Sequence, residues 1–286
     1  MRRNTQVVLL ACLVLVLGYW GYQWRFNEGS SVRLIVKSSS GQVDRLDAAG
    51  VARSTDAGSR IDVQDTLKTG ADGLILLAVG EGSQLSLSAA SSMRVLSADA
   101  GGVRVELEDG RVSARVRPGS PPLGVTNRGR AVNATNADFT IVVDPEGAMG
   151  VEAERGDVNL QGFEGVDRIT EGSRLRAIPG REPVSAPLSA ALLLEVDWPS
   201  TAITRSGEVT IRGRTDPYAS VILGDGTRVR AGADGKFRAK VILREGTNDL
   251  NVRVRDLMGR ESDAKHTVTR DSTAPTVQSS EVLWGR

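Results

Sequence analysis

The sequence predicts an all-β protein carried behind a single apolar N-terminal helix, with its mass divided between two β domains. Three observations lead there. A charge-free apolar stretch opens the chain. From Ser31 onward, short apolar runs alternate with Gly, Asp and Ser turns, without a helical period before a Pro-rich stretch near residue 180. Aromatic residues make up 4% of the chain against 32 Gly, a balance that suits short strands and tight turns. At roughly 100–200 residues per domain, the 286 residues suggest about two domains. The net charge of +1 gives no electrostatic case for a nucleic-acid partner, which needs a basic face. A single Cys, Cys12, precludes an internal disulfide and any multi-Cys metal site. A single His, His266, precludes multi-His metal motifs and leaves catalysis short of its commonest general base. The composition leans away from an enzyme, so no catalytic, cofactor-binding or metal-binding residue is assigned and no cofactor is expected.

The first element is the anchor. Arg2 and Arg3 precede a stretch without charge, and Val7 to Trp24 would span about 27 Å as a helix, close to the ~30 Å hydrocarbon core. Tyr19, Trp20, Tyr22 and Trp24 crowd its far end, where amphipathic rings favour the headgroup level, and Arg25 then stops it. A cleaved signal peptide would need small residues before its cleavage site, and GYWGYQWRF presents bulky rings there. The tetrad Leu9-Leu10-Ala11-Cys12 resembles a lipobox, but Cys12 lies inside the apolar run. Arg2 and Arg3 favour a cytoplasmic N-terminus. The expected organisation is a cytoplasmic stub at 1–6, a single-pass anchor at 7–24 in a bacterial inner membrane, and the bulk of the chain in the periplasm. Segment 1–30 carries +2, so the exported body is nearly neutral.

The next domain is expected over 31–178. Its candidate strands are Val32–Lys37, Gly73–Val79, Ser83–Ser88, Met93–Ser97, Val103–Glu108, Arg111–Arg117, Phe139–Val143, Gly150–Glu154 and Asp157–Gln161. The strongest local signal is VRVELE-DG-RVSARV, in which Asp109-Gly110 reads as a two-residue hairpin turn. Folding about it would pair Leu107 with Val112, Val105 with Ala114 and Val103 with Val116, all on one face. Glu108 would then face Arg111, and Arg104 would face Arg115.

The run from Val63 to Leu96 resembles the FecR-domain family. Matching positions are Asp65, Thr69, Gly70, Gly73, Gly82, Ser83, Leu85 and Leu87, followed by Leu107, Gly110 and Val112. A later segment is approximated by Asn136-Ala137-Asp138-Phe139, Asp144, Gly147, Val151, Gly156 and Val158. The resemblance covers about residues 60–162. It departs at Gln64, where the family usually has Gly, and at ATNADFT. Classical members regulate sigma factors through a cytoplasmic helical segment, whereas only Met1 to about Gln6 precede the anchor here. The resemblance therefore implies the periplasmic receiving module without the sigma-binding arm.

Pro179, Pro183, Pro187 and Pro199 mark a semi-rigid boundary, with a linker expected at 179–189. Leu188–Val196 reads as the first strand of the next domain, with a short helix or a packing latch as alternatives. Strands at Glu208–Arg214, Ala219–Leu223, Arg228–Ala231, Lys236–Leu243, Asn248–Arg255 and Lys265–Arg270 have the spacing of an Ig-like sandwich over 190–272. This segment resembles bacterial Ig-like and glucodextranase-type accessory domains. The matching residues are Val209, Gly213, Thr215, Pro217, Ala219, Val221, Asp234, Gly235, Phe237, Gly246, Asn248, Val252, Asp256 and Gly259. The sandwich core is expected to hold Phe237, Val241, Leu250, Val252 and Val254. The tail, 273–286, reads as flexible or as a docking peptide bearing Val282, Leu283 and Trp284.

Other motifs weigh less. Arg155-Gly156-Asp157 reads as a hairpin tip and Asn133-Ala134-Thr135 as an incidental sequon. Asp225, Asp234, Asp249, Asp256 and Asp263 read as turn caps, since no D-x-D-x-D-G array organises them for calcium. His266 reads as an exposed strand residue, and Gly80-Glu81-Gly82 as a hairpin turn rather than a phosphate loop. The expected function is non-enzymatic recognition of another envelope protein, with peptidoglycan or polysaccharide binding as the alternative.

Overall fold

The computed structural model describes residues 32–189 and 191–273. The expected stub and anchor, and the tail from Ala274 onward, lie outside these. The described residues are all β, and none of their elements is a helix long and apolar enough to cross a membrane. The described residues divide into two compact units, one of 32–179 with 185–187 and the other of 180–184 with 188–189 and 191–273.

The first unit is a two-sheet sandwich. One sheet runs β4 (Arg60–Ile61), β1 (Leu34–Ser40), β6 (Leu74–Val79), β7 (Ser83–Leu87), the C-terminal half of β9 (Gly102–Val116), β12 (Ala137–Val143), β13 (Met149–Arg155) and β16 (Ser173–Ala177). The other runs β3 (Ala52–Arg53), β2 (Val43–Leu46), β5 (Thr66–Thr69), β8 (Ser91–Asp99), the N-terminal half of β9, β10 (Leu123–Asn127), β11 (Arg130–Ala134), β14 (Val158–Gln161) and β15 (Arg168–Ile169). All these pairings are antiparallel except β9 with β10. The chain lays down strands alternately in the two sheets and advances along both. Side chains alternate across each strand, so one residue in two points between the sheets. Leu77, Leu85, Val112, Phe139 and Val151 from one sheet meet Leu67, Met93, Val105, Leu107 and Val125 from the other in a single core.

The Asp109-Gly110 hairpin does not form. β9 is one continuous strand of 15 residues that leaves one sheet and enters the other at this dipeptide. Its first half pairs Leu107 with Met93 and Val105 with Val95. Its second half pairs Val112 with Leu87 and Ile141, and Ala114 with Leu85 and Phe139. The alternation that suggested a hairpin is real, but each half finds better-matched apolar neighbours elsewhere. Gly110, at φ +92°, bends the strand, and a Cβ there would overlap Ser91. The serine instead brings its Oγ to the Arg111 N–H at 2.9 Å. Glu108 consequently pairs with Arg94 at 3.1 Å rather than with Arg111.

Gly156-Asp157 is likewise not a hairpin tip. It joins β13 in one sheet to β14 in the other, with Gly156 at φ +70°. Gly80–Gly82 does turn a hairpin, β6 into β7. β17 (Val184–Pro187) follows, and its Ser185 hydroxyl donates to the Arg174 carbonyl at 3.3 Å.

The second unit is a sandwich of a three-stranded and a five-stranded sheet. The first sheet runs β18 (Leu194–Asp197), β20 (Glu208–Thr215), β23 (Lys236–Ile242). The second runs β19 (Ile203–Thr204), β25 (Glu261–Arg270), β24 (Gly246–Arg255), β21 (Ser220–Leu223), β22 (Arg228–Arg230), with β19 parallel to β25. This strand order is that of an immunoglobulin-type sandwich. Its core holds Ile211, Phe237 and Val241 against Val221, Leu250, Val252, Val254 and Val268. The run Leu188–Val196 is not one strand: pairing starts only at Leu194, although Leu192 is already buried.

Candidate interaction surfaces

The signature positions of the first unit go into architecture. Asp65, buried, accepts the Arg45 Nε–H at 2.7 Å and the Asp62 backbone N–H at 2.9 Å. Arg45 occupies an inward position of β2, and its other side reaches the Ser54 carbonyl at 3.3 Å. The two form a buried ion pair, and removing either partner would leave a lone buried charge, which is strongly destabilising. Thr69 donates to the Ser88 carbonyl and accepts from the Ser91 N–H. A Cβ on Gly73 would collide with the Gln42 carbonyl, so only glycine fits that turn. The buried Ser83 hydroxyl accepts the Arg117 N–H at 3.1 Å, and Asp144 accepts that of Ala148 at 2.7 Å.

The second unit spends its signature the same way. Gly213 lies against the Phe237 ring, where a Cβ would clash. Thr215 donates to the Leu193 carbonyl at 2.6 Å. Asn248, near the start of β24, closes the turn that carries the chain from β23 in one sheet to β24 in the other, accepting from Arg244 N–H and donating back to the Arg244 carbonyl, both at 2.8 Å. The five aspartates weighed for calcium are spread out. Asp225 caps Thr227 and Asp234 caps Lys236, while Asp249 meets Thr267, Asp256 binds Arg260, and Asp263 lies opposite Arg253. Among the described residues no group of three or more His, Cys, Asp or Glu could hold a metal ion. His266 is half-buried rather than exposed, because it sits on the inward side of β25 and stacks on Trp198 with ring centroids 5.1 Å apart. Asn133 lies mid-strand between Gly124 and Asn159.

What remains is the outward faces. In the first unit, Ser86, Ser113 and Thr140 follow one another across β7, β9 and β12. Short hydroxyl side chains leave a trough there of about 210 Å³, bordered by Leu76, Arg115, Asp138 and Glu154. Ser113 and Thr140 share a hydrogen bond of 2.9 Å, and Thr140 reaches Glu154 at 3.3 Å. At the trough's end three guanidinium groups surround Asp138: Arg117 and Arg155 at 3.3 Å and Arg115 at 3.8 Å. One carboxylate cannot neutralise three guanidiniums, so this corner can take polar, hydrogen-bond-accepting groups. The sequence hid it, because its members lie on three strands whose adjacency only the register establishes.

In the second unit the outward face of the three-stranded sheet is basic. Arg212, Arg214, Lys236, Arg238 and Lys240 are all exposed. Register places Arg214 opposite Lys236 and Arg212 opposite Arg238. Beside this face, a cleft of about 350 Å³ has Ile211, Val241 and Leu250 in its floor and Ile242, Asn248 and Asn251 around it. Ile242 is 78% exposed.

Comparison with known proteins follows the same division. Residues 65–159 match the family model described as FecR protein, and residues 194–272 match that described as Glucodextranase, domain B. No curated protein matches the chain. Crystal structures at 1.65 and 2.50 Å of a Parabacteroides distasonis protein, provisionally described as an anti-sigma factor, are 19% identical with a TM-score of 0.39. The match covers 44% of this chain and 60% of that one. A tetra-tandem repeat from the extending region of a large adhesion protein is 14% identical, with a TM-score of 0.25 over 86% of this chain and 69% of that one.

Proposed function

We propose that this chain, a FecR-type domain followed by a glucodextranase domain B-type module, is a non-enzymatic recognition module of the bacterial envelope with a signalling or regulatory role. In this reading Val7–Trp24 holds it in the inner membrane and both β units face the periplasm. The observation that carries the reading is the FecR-type match at 65–159, whose signature residues form turns and core and so specify a rigid carrier. Its outward sheet face, with the Ser86–Ser113–Thr140 trough and the arginines around Asp138, is left for a partner. Anchoring would confine both units to a thin layer and raise the effective concentration toward partners there.

Two experiments test this. Protease treatment of spheroplasts should digest the C-terminal region, and its protection would reverse the topology. The full chain, cross-linked in envelope membranes and purified, should carry a specific protein partner that is diminished by Ser113→Arg and Thr140→Arg, which fill the trough. Recovery of no partner, or of the same partner at the same yield from the filled variant, counts against the reading. A second reading, polysaccharide recognition, draws on the glucodextranase domain B match and would show as sedimentation with purified sacculi.

A further inference from the structure

Among the described residues β23 is the outermost strand of its sheet, with β20 as its one paired neighbour. The ladder with β20 includes the backbone bonds Thr215 N–H to Gly235 and Leu243 N–H to Gly207. By antiparallel alternation, odd-numbered residues of β23 bond to β20, and the N–H and C=O groups of Arg238, Lys240 and Ile242 point to the unpaired side. The side chains of these same residues stand on the basic outer face.

Edge strands often carry Lys to discourage association with other edges. Two features here exceed that need. The positive charge extends onto β20, where the like-charge pairs Arg214/Lys236 and Arg212/Arg238 lie directly opposite each other, an arrangement that is locally destabilising. Ile242, exposed at the end of the strand, borders the apolar-floored cleft instead of guarding the edge. Counter-charge is lopsided. Lys240 meets Glu208 at 2.8 Å and Lys236 meets Asp234 at 3.3 Å, while Glu195 and Asp197 lie on the far strand opposite Arg214 and Arg212. A second copy adding by its own β23 would set cations against cations.

Building on the recognition role proposed above, we infer that the β23 edge receives an extended acidic segment of a partner protein as an added antiparallel strand. The segment leads with an apolar residue seated beside Ile242 in the cleft and continues with Asp or Glu at alternate positions opposite Lys240 and Arg238, ending near the Lys236 ammonium, since the Lys236 carbonyl already accepts the Gly232 N–H at 2.9 Å. Backbone bonds supply the pairing and the alternate carboxylates supply the selectivity.

The test uses the full chain in lipid nanodiscs and a synthetic peptide as long as β23, Leu followed by alternating Glu and Val, against a Lys-for-Glu control. The Glu peptide should bind, weaken with salt, and slow hydrogen exchange at the Arg238, Lys240 and Ile242 amides. Lys236→Glu/Arg238→Glu/Lys240→Glu, all exposed positions, should keep the circular dichroism spectrum and bind at least about tenfold more weakly. Failure to bind, binding without slowed exchange at those amides, or equal binding by the charge-reversed variant overturns the inference. So does binding of dextran sulfate in place of the peptide, or self-association abolished by the same variant, since each assigns the edge to another occupant. The two readings fail separately. If the charge-reversed chain still captures the wild-type envelope partner, the edge assignment falls and the recognition role stands; if the wild type captures none, the recognition role falls.

Discussion

At the scale of single residues, glycines of similar backbone conformation differ sharply in what surrounds them. Gly110 and Gly119 both have positive φ, +92° and +79°. A Cβ at Gly110 would overlap Ser91, whereas at Gly119 it would meet nothing within 4 Å. Gly119→Ala therefore carries only the backbone strain of a left-handed residue, about 1 kcal/mol. Gly110→Ala adds overpacking at the sheet crossing, for a total of about 2–4 kcal/mol. Urea unfolding of the two variants should separate them, and equal midpoints would show that Ser91 does not constrain β9. Asp47 provides a pH-dependent counterpart. It accepts N–H bonds from Val51 and Ala49, both at 2.9 Å, and pairs with Arg53 at 2.6 Å. The Val51 N–H first, then the Arg53 side chain, holds its carboxyl below the ordinary value. A carboxylate with a lowered folded-state pKa contributes stability that is fully present above its unfolded value, near 4, and lost as pH falls through the folded value. Asp47→Asn should thus lower the urea midpoint at pH 7 and approach the wild type on acidification below about pH 4. A gap that persists unchanged at the lowest pH would assign the loss to geometry rather than charge.

At the scale of elements, the test is which partner β9 takes. In a hairpin about Asp109-Gly110, Glu108 would pair with Arg111; in the crossing it pairs with Arg94. A double-mutant cycle on Glu108 and Arg94 should give a coupling of about 0.2–1 kcal/mol, as exposed pairs do, while the cycle on Glu108 and Arg111 should give none. The reverse result would restore the hairpin. The misreading has a definite cause. Period-2 alternation fixes which residues point inward but not which strand lies alongside, and a turn-forming dipeptide serves equally well to bend one strand between two sheets. Strands whose inward positions are wholly or mostly apolar, such as Leu74–Val79 and Ser83–Leu87, were readable from pattern. Those at Val43–Leu46 and Leu123–Asn127 were not, because Arg45 and Asn127 sit inward at 8% and 3% exposure and break the apolar count. Asn127 is accommodated there by donating to the Leu107 carbonyl at 2.7 Å, a long-range bond that no local pattern announces. The trough and the basic edge were unreadable for a related reason. Their residues are ordinary Ser, Thr, Arg and Lys until register sets them side by side.

At the scale of the molecule, the sharing of β9 has a consequence for how the first unit holds together. Its N-terminal half carries pairing in one sheet and its C-terminal half carries pairing in the other. Leu107 and Val112, on either side of the bend, are both fully buried in the same core. Neither sheet can open without releasing the strand that the other needs. The unit should therefore behave as a single cooperative body rather than as two layers that melt in turn. Leu107→Ala leaves a cavity on one side of the bend and should lower stability by about 2–5 kcal/mol. If cooperativity runs through β9, the slowest-exchanging amides of β6 and β7, in the sheet that Leu107's half does not pair with, should lose the same free energy as those of β8, which pairs with it directly. Native-state hydrogen exchange resolved by strand measures both. A loss confined to β8 and β5, with β6 and β7 unchanged, would mean that the bend at Gly110 uncouples the layers, and that the rigid carrier invoked for recognition is two sheets joined by a hinge.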